Sequence, residues 1–349
     1  MQLEQFRPRP ALVTKSTLVA RPRFPAIDTH DHLGDEFGGG WIHRPLTELQ
    51  ERLDEAGITR YVDLDGGWGE DVLQAHLEKL KPAGDRFLVF GGVAWSQWRD
   101  KGDAFPEWAA GRLRVQKGWG ASGLKIWKPF GLSVRDQAGE LVKVDDPRLD
   151  PLWETAAELG WPVVIHVADP VAFFDPLDET NERWEELHAR PDWQFPSPPF
   201  PSFLSILNGL AGLVARHPRT AFVGAHVGCY AEDLAWVGAL LDRCPNFTVD
   251  IAARIGELGR QPYAARRFFL KYADRILFGS DFGPNLDAYR IIYRFLETDD
   301  EYFNYNASPV PEQGRWYVCG LFLPDEVLEK IYFRNAERLL DGYAGAGAA

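Results

Sequence analysis

Short runs of apolar and β-branched residues recur along the chain, and each is followed by a stretch with helical spacing. The runs fall at residues 26–30, 58–64, 87–93, 123–127, 162–167, 220–225, 247–251 and 275–279. Segments such as "PVVIHV", "TAFVGAH" and "RILFGSD" are apolar without alternation, as expected of parallel strands covered on both faces. Leu46, Leu49 and Leu53 form one helical stripe that stops before Gly57, and residues 149–160 and 203–217 behave alike. Eight strand–helix units predict an α/β protein, a (β/α)8 TIM barrel. A doubly wound open sheet is the alternative, but no GxGxxG follows the first strand. The amphipathic segment "LPDEVLEKIYFRNAERLL" near the end is expected to pack beneath the barrel.

Two stretches break the alternation. Residues 168–202 are rich in proline, acidic groups and tryptophan, and they follow the fifth strand directly. Residues 299–316 form a second aromatic insert after the eighth strand. Inserts at that end of a barrel shape a pocket, or else supply a dimer contact. The organisation expected is an irregular arm over residues 1–25 and a barrel domain over 26–349.

Composition narrows the function. The chain is 45% hydrophobic and 26% charged, as in an ordinary globular protein. Its net charge is −13, although residues 1–25 carry five positive side chains against one negative. An acidic body excludes nucleic acid as partner. No run approaches ~18 apolar residues, so no membrane span is expected, and the basic start has no apolar core of a secretory signal. Three cysteines, odd in number and without CxxC spacing, suit a reducing compartment rather than a disulfide framework. The expectation is a cytoplasmic protein, a homodimer or higher homo-oligomer, acting on a small molecule.

The candidate chemistry begins in "IDTHDHLG". Side chains alternate along a strand, so His30 and His32 point to one side, with Asp28 below them and Asp31 turned away. His166 ends the fifth strand, His226 the sixth and Asp281 the eighth. Polar residues at the C-terminal ends of several barrel strands converge on one point. Three or four histidines with one carboxylate suit a divalent ion, zinc first, with manganese, iron or cobalt as alternatives. Such an ion makes hydroxide available at neutral pH. Around this centre, Trp41, Trp127, Lys125 and Arg254 follow or end strands and are read as substrate contacts. The aromatic rings and the two cations suggest an aromatic or unsaturated acid.

The HxH of the first strand, "GLKIW" on the fourth, His166, His226, "FGSDFGP" and the closing amphipathic segment together resemble the amidohydrolase superfamily. The likeness is to its amidohydrolase-related branch, which includes the aminocarboxymuconate-semialdehyde decarboxylase group, and it spans about residues 26 to 340. That resemblance implies a mononuclear site held by His30, His32, His166 and Asp281, with His226 acting beside it. Asp281 would then also carry protons, and Lys125, a bridging ligand in binuclear relatives, would here be a substrate contact or a structural lysine. The function expected first is a metal-dependent hydrolase of a small carboxylated cyclic or aromatic substrate. A non-oxidative decarboxylase of an aromatic or muconate-like acid is the alternative, and a non-catalytic binding barrel a further one.

Overall fold

The computed structural model describes Met1 and residues 5–341. Its eight strands are β1 (Ala26–Asp31), β2 (Ile58–Asp63), β3 (Phe87–Val89), β4 (Leu124–Ile126), β5 (Val163–Ile165), β6 (Phe222–Gly224), β7 (Phe247–Asp250) and β8 (Ile276–Leu277). They pair in parallel as β1-β2-β3 and β4-β5-β6-β7-β8. Backbone bonds join the two sets. Gly91 N donates to Gly123 O at 2.9 Å and Lys125 N to Gly91 O at 2.8 Å, while Thr29 N donates to Phe278 O at 3.0 Å. The sheet thus closes into the expected barrel, and no edge is left unpaired.

A helix follows each strand in turn: α1 (Leu46–Ala56), α2 (Glu70–Leu80), α3 (Phe105–Trp119), α4 (Asp150–Glu158), α5 (Phe203–Arg216), α6 (Leu234–Arg243), α7 (Pro262–Lys271) and α8 (Leu286–Glu297). The Leu49 and Leu53 stripe of α1 is buried, and the helix stops at Gly57, whose φ of 82° caps it in the left-handed region. Ile27, Val62, Phe90, Val164, Val223 and Leu277 fill the barrel interior. Ala336 and Leu339, from the amphipathic segment, close it from below. Asn335 Nδ2 donates to both Ala273 O and Ile276 O at 2.7 Å and fixes that plug to β8.

Residues 6–25 carry no helix or strand and lie along the outside. Thr17 N and Oγ1 donate to Asp300, at 2.6 and 2.8 Å, and Arg23 N donates to Glu297. The arm is therefore fastened to the end of α8 and the start of the second insert. No helix among the described residues is long and apolar enough to cross a membrane.

Candidate metal centre

The C-terminal strand ends bring His30, His32, His166, His226 and Asp281 to one cavity of about 430 Å³. β1 is held against the segment after β8 by a buried network. Ser280 Oγ lies 2.7 Å from both Asp28 Oδ2 and Asp31 Oδ2, and Tyr289 OH is 2.8 Å from Asp28 Oδ2. One hydroxyl proton satisfies only one of these oxygens. Burial, reinforced by Asp31, pushes the Asp28 carboxyl well up. Asp31 does turn from the cavity, as expected, but it works there: its Oδ1 accepts from Gly283 N at 2.7 Å. Asp281, at φ 64°, is pinned by its N–H to His30 O at 3.0 Å.

Each histidine is oriented by a second group. His30 Nδ1 meets Asp250 Oδ2 at 2.8 Å, and His32 Nδ1 meets Asp65 Oδ1 at 2.8 Å. That leaves both Nε2 atoms facing Asp281 Oδ1, at 3.9 and 3.2 Å. His226 Nδ1 donates to Ala252 O at 2.9 Å. A carbonyl only accepts, so Nδ1 carries the proton and the neutral ring presents a lone pair at Nε2, 3.9 Å from Asp281 Oδ2. This tautomer makes His226 a hydrogen-bond acceptor at Nε2. His226, Val227 and Cys229 all have positive φ, 57°, 59° and 63°, a strained turn for a β-branched residue in particular.

The electrostatics favour a cation. Burial, with Lys125 next, pushes His30 well below its usual value, so its ring is neutral. Burial opposes charge on His32 too, but the hydrogen bonds to Asp281 and Asp65 outweigh it and push this ring up to about 10. Burial likewise opposes the Asp281 charge, yet the His32 hydrogen bond and the neighbouring cations hold it far below the carboxylate range. Ligand atoms of His30, His226 and Asp281 lie within 4.8 Å of one another. Neutral imidazoles, an ionised carboxylate and carboxylate-anchored rings are the donor set of a divalent ion, so these residues fit one.

The remaining expected residues divide. His166 packs its ring 4.5 Å from that of His226 but turns Nε2 to Asp169 Oδ1 at 3.2 Å. Asp169 in turn holds Lys128 Nζ at 2.5 Å. Lys125 is buried below the cavity, with Nζ 3.2 Å from His30 Nε2 and 4.6 Å from the Trp127 ring centre; burial lowers it to about 8. Trp127 lines the cavity, stacked on Trp68 at 4.0 Å, and Phe37 stacks beside both. Arg254 lines it too, and its guanidinium donates to the carbonyl of Ala253 at 2.9 Å, with no acid bonded to it among the described residues. Trp41 is not part of the lining. Gly39 and Gly40, at φ 64° and 68°, turn the chain back so that this ring packs into the core under Arg44. Phe37 occupies the cavity in its place.

Asp65, Asp169 and Asp250 were not read from the sequence as partners of the histidines. Two had a signal: Asp169 lies three residues after His166, and Asp250 ends its strand as the ligand-bearing segments do. A larger concavity of about 890 Å³ lies at the opposite end of the barrel among Arg60, Arg86 and Trp161, remote from this chemistry.

A family model described as Amidohydrolase matches residues 27–342, and the chain belongs to that family. It is accordingly an amidohydrolase-type enzyme, as the strand-end pattern leads one to expect. Among solved structures it is similar to 2,6-dihydroxybenzoate decarboxylase from Rhizobium, at 17% identity and TM-score 0.53, over 91% of this chain and 99% of that one. It is also similar to a dihydroxybenzoic acid decarboxylase from Polaromonas with bound manganese and the inhibitor 2-nitroresorcinol, at 18% identity and TM-score 0.53, over 91% and 97%. A probable 2-pyrone-4,6-dicarboxylic acid hydrolase from Acinetobacter baumannii shares the fold at 11% identity and TM-score 0.51, over 91% and 100%. Comparison with curated proteins gives no match.

Proposed function

We propose that this enzyme is a metal-dependent, non-oxidative decarboxylase of a small aromatic acid. The observation that carries the reading is the wall of planar rings, Trp68 stacked on Trp127 with Phe37 beside them, which lines the same cavity as Asp281 and the neutral His226. Such a wall receives a flat ring in offset stacking. Arg254, bonded to no acid among the described residues, orients an anionic oxygen of the substrate. By the family resemblance His30, His32, His166 and Asp281 would hold the ion; of these, His30 and Asp281 already have ligand atoms gathered with that of His226. Zinc suits this donor set, and the manganese of the Polaromonas relative supports that metal as the alternative. When bound, the ion supplies Lewis-acid polarisation of substrate and water.

The chain's own part is proton transfer. Burial, followed by Arg254, holds His226 well below its usual value, so a proton that its Nε2 takes from water is readily passed on. That proton goes to the ring carbon bearing the carboxylate. The carbon–carbon bond then breaks, its electron pair restores the aromatic ring, and carbon dioxide leaves. Hydrolysis of a lactone or ester is the second reading, supported by the same lone pair, which equally serves to deprotonate water. Both are tested by a panel of aromatic acids and lactones in heavy water. The expected result is carbon dioxide with one deuterium at the vacated ring carbon, and an Arg254→Met variant with KM raised about 10–100-fold. Lactone opening without carbon dioxide would overturn the decarboxylase in favour of the hydrolase.

A further inference from the structure

A second cavity of about 600 Å³ lies immediately beside the first, and the two share Trp68 and Glu36 as a common wall. It sits between the loop after β1 and helix α2. Val72, Ala75, His76 and Lys79 all line it, and their spacing of three and four residues puts them on one stripe of that helix. Ile42 and the outer side of Trp68 complete an apolar wall. On the helix side its polar groups are His76 and Lys79, one turn apart. His76 Nδ1 is bonded to Asp63 Oδ2 at 2.5 Å, and Nε2 has no hydrogen-bond partner among the described residues. Although burial opposes it, the bond to Asp63 raises the imidazole above its usual value, so Nε2 is disposed to donate. Lys79 makes no ion pair among the described residues.

The acids around this cavity are already engaged. Asp65 accepts at Oδ1 from His32 and Trp68, and at Oδ2 from the N–H groups of Leu33 and Gly34. Asp35 is paired with His43 at 3.1 Å. Asp65 and Asp35 thus spend their acceptor atoms on groups other than His76 and Lys79, whose Nε2 and Nζ are left to meet an incoming anion.

We propose that this cavity is a second binding site, for a small aryl carboxylate. The ring lies against Trp68, Ile42 and Val72, and the carboxylate is received by His76 Nε2 and Lys79 Nζ. The occupant touches the outer side of Trp68, whose indole N–H shares Asp65 Oδ1 with the imidazole of His32, so binding here bears on the orientation of that ring. The site does not depend on which reaction the first cavity performs.

The test uses the metal-loaded protein and 3-fluorobenzoate followed by fluorine NMR. Two bound populations are expected. Ala75→Trp, at an exposed helix position, fills the second cavity and removes one population. Lys79→Met weakens that same population about ten-fold, and Arg254→Met leaves it intact. Circular dichroism melting confirms that the variants are folded. Absence of any bound population that Ala75→Trp removes overturns the proposal.

Discussion

At the scale of single residues, the site is built from pairs: a ring that faces inward and an acceptor that decides which nitrogen does so. Asp250 is the most loaded of these acceptors. Its Oδ2 holds His30 Nδ1, and its Oδ1 accepts from the N–H groups of His226 and Ala252. Replacing it with asparagine keeps the volume but takes away a charge and lets the amide present the wrong group to His30. Metal affinity should fall about 10–100-fold, measured by competition with a chromogenic chelator; an unchanged affinity would show that Asp250 orients nothing. The inward-facing residues were legible in the sequence, because a strand end is a local feature. Their acceptors were not, since His32 and Asp65 are 33 positions apart and His30 and Asp250 are 220 apart. Trp41 misled for a related reason: two glycines at positive φ reversed the chain before it, which apolar spacing does not report.

At the scale of elements, all eight strands stand where the apolar runs predicted them, but several are shorter. β3 ends at Val89 rather than 93: Gly91 still pairs with β4, but Gly92 turns off to pass close to the loop after β2, where a Cβ on Gly92 would come within 2.6 Å of Gly67 Cα. Burial continues past the last ladder bond, so hydrophobicity overstates strand length. The two inserts were visible as interruptions, yet their mutual fastening was not. Arg183 of the first insert is fully buried between Glu186 and Glu257, with Trp316 of the second insert 5.5 Å from its guanidinium. Arg183→Met leaves Glu257 buried without its partner and should cost about 3–5 kcal/mol in urea denaturation. A loss below about 1 kcal/mol would mean that the first insert is held by its apolar contacts alone.

At the scale of the whole molecule, the proposed ligands from β1 and from the ends of β5, β6 and β8 meet only when the barrel is closed, so an ion bound there would be bound to the folded state. Removing it with a chelator should lower the melting temperature, by an amount that grows with the free metal concentration before removal. A proton on His32, held up to about 10, competes for the same place. Metal affinity should therefore rise as pH rises, until that proton is gone, in a titration of metal content against pH. A flat profile between pH 6 and 9 would exclude His32 from the ligand set.

The outer wall of the pocket has a practical corollary. Arg315 of the second insert grips Glu185 of the first through two bonds, at 2.6 and 2.7 Å, and also reaches the carbonyl of Phe6. Anyone grafting loops from a relative to alter the substrate range must move both inserts as a matched set. A chimaera with one foreign loop would inherit an ionic half without its mate, above a barrel that had not changed at all.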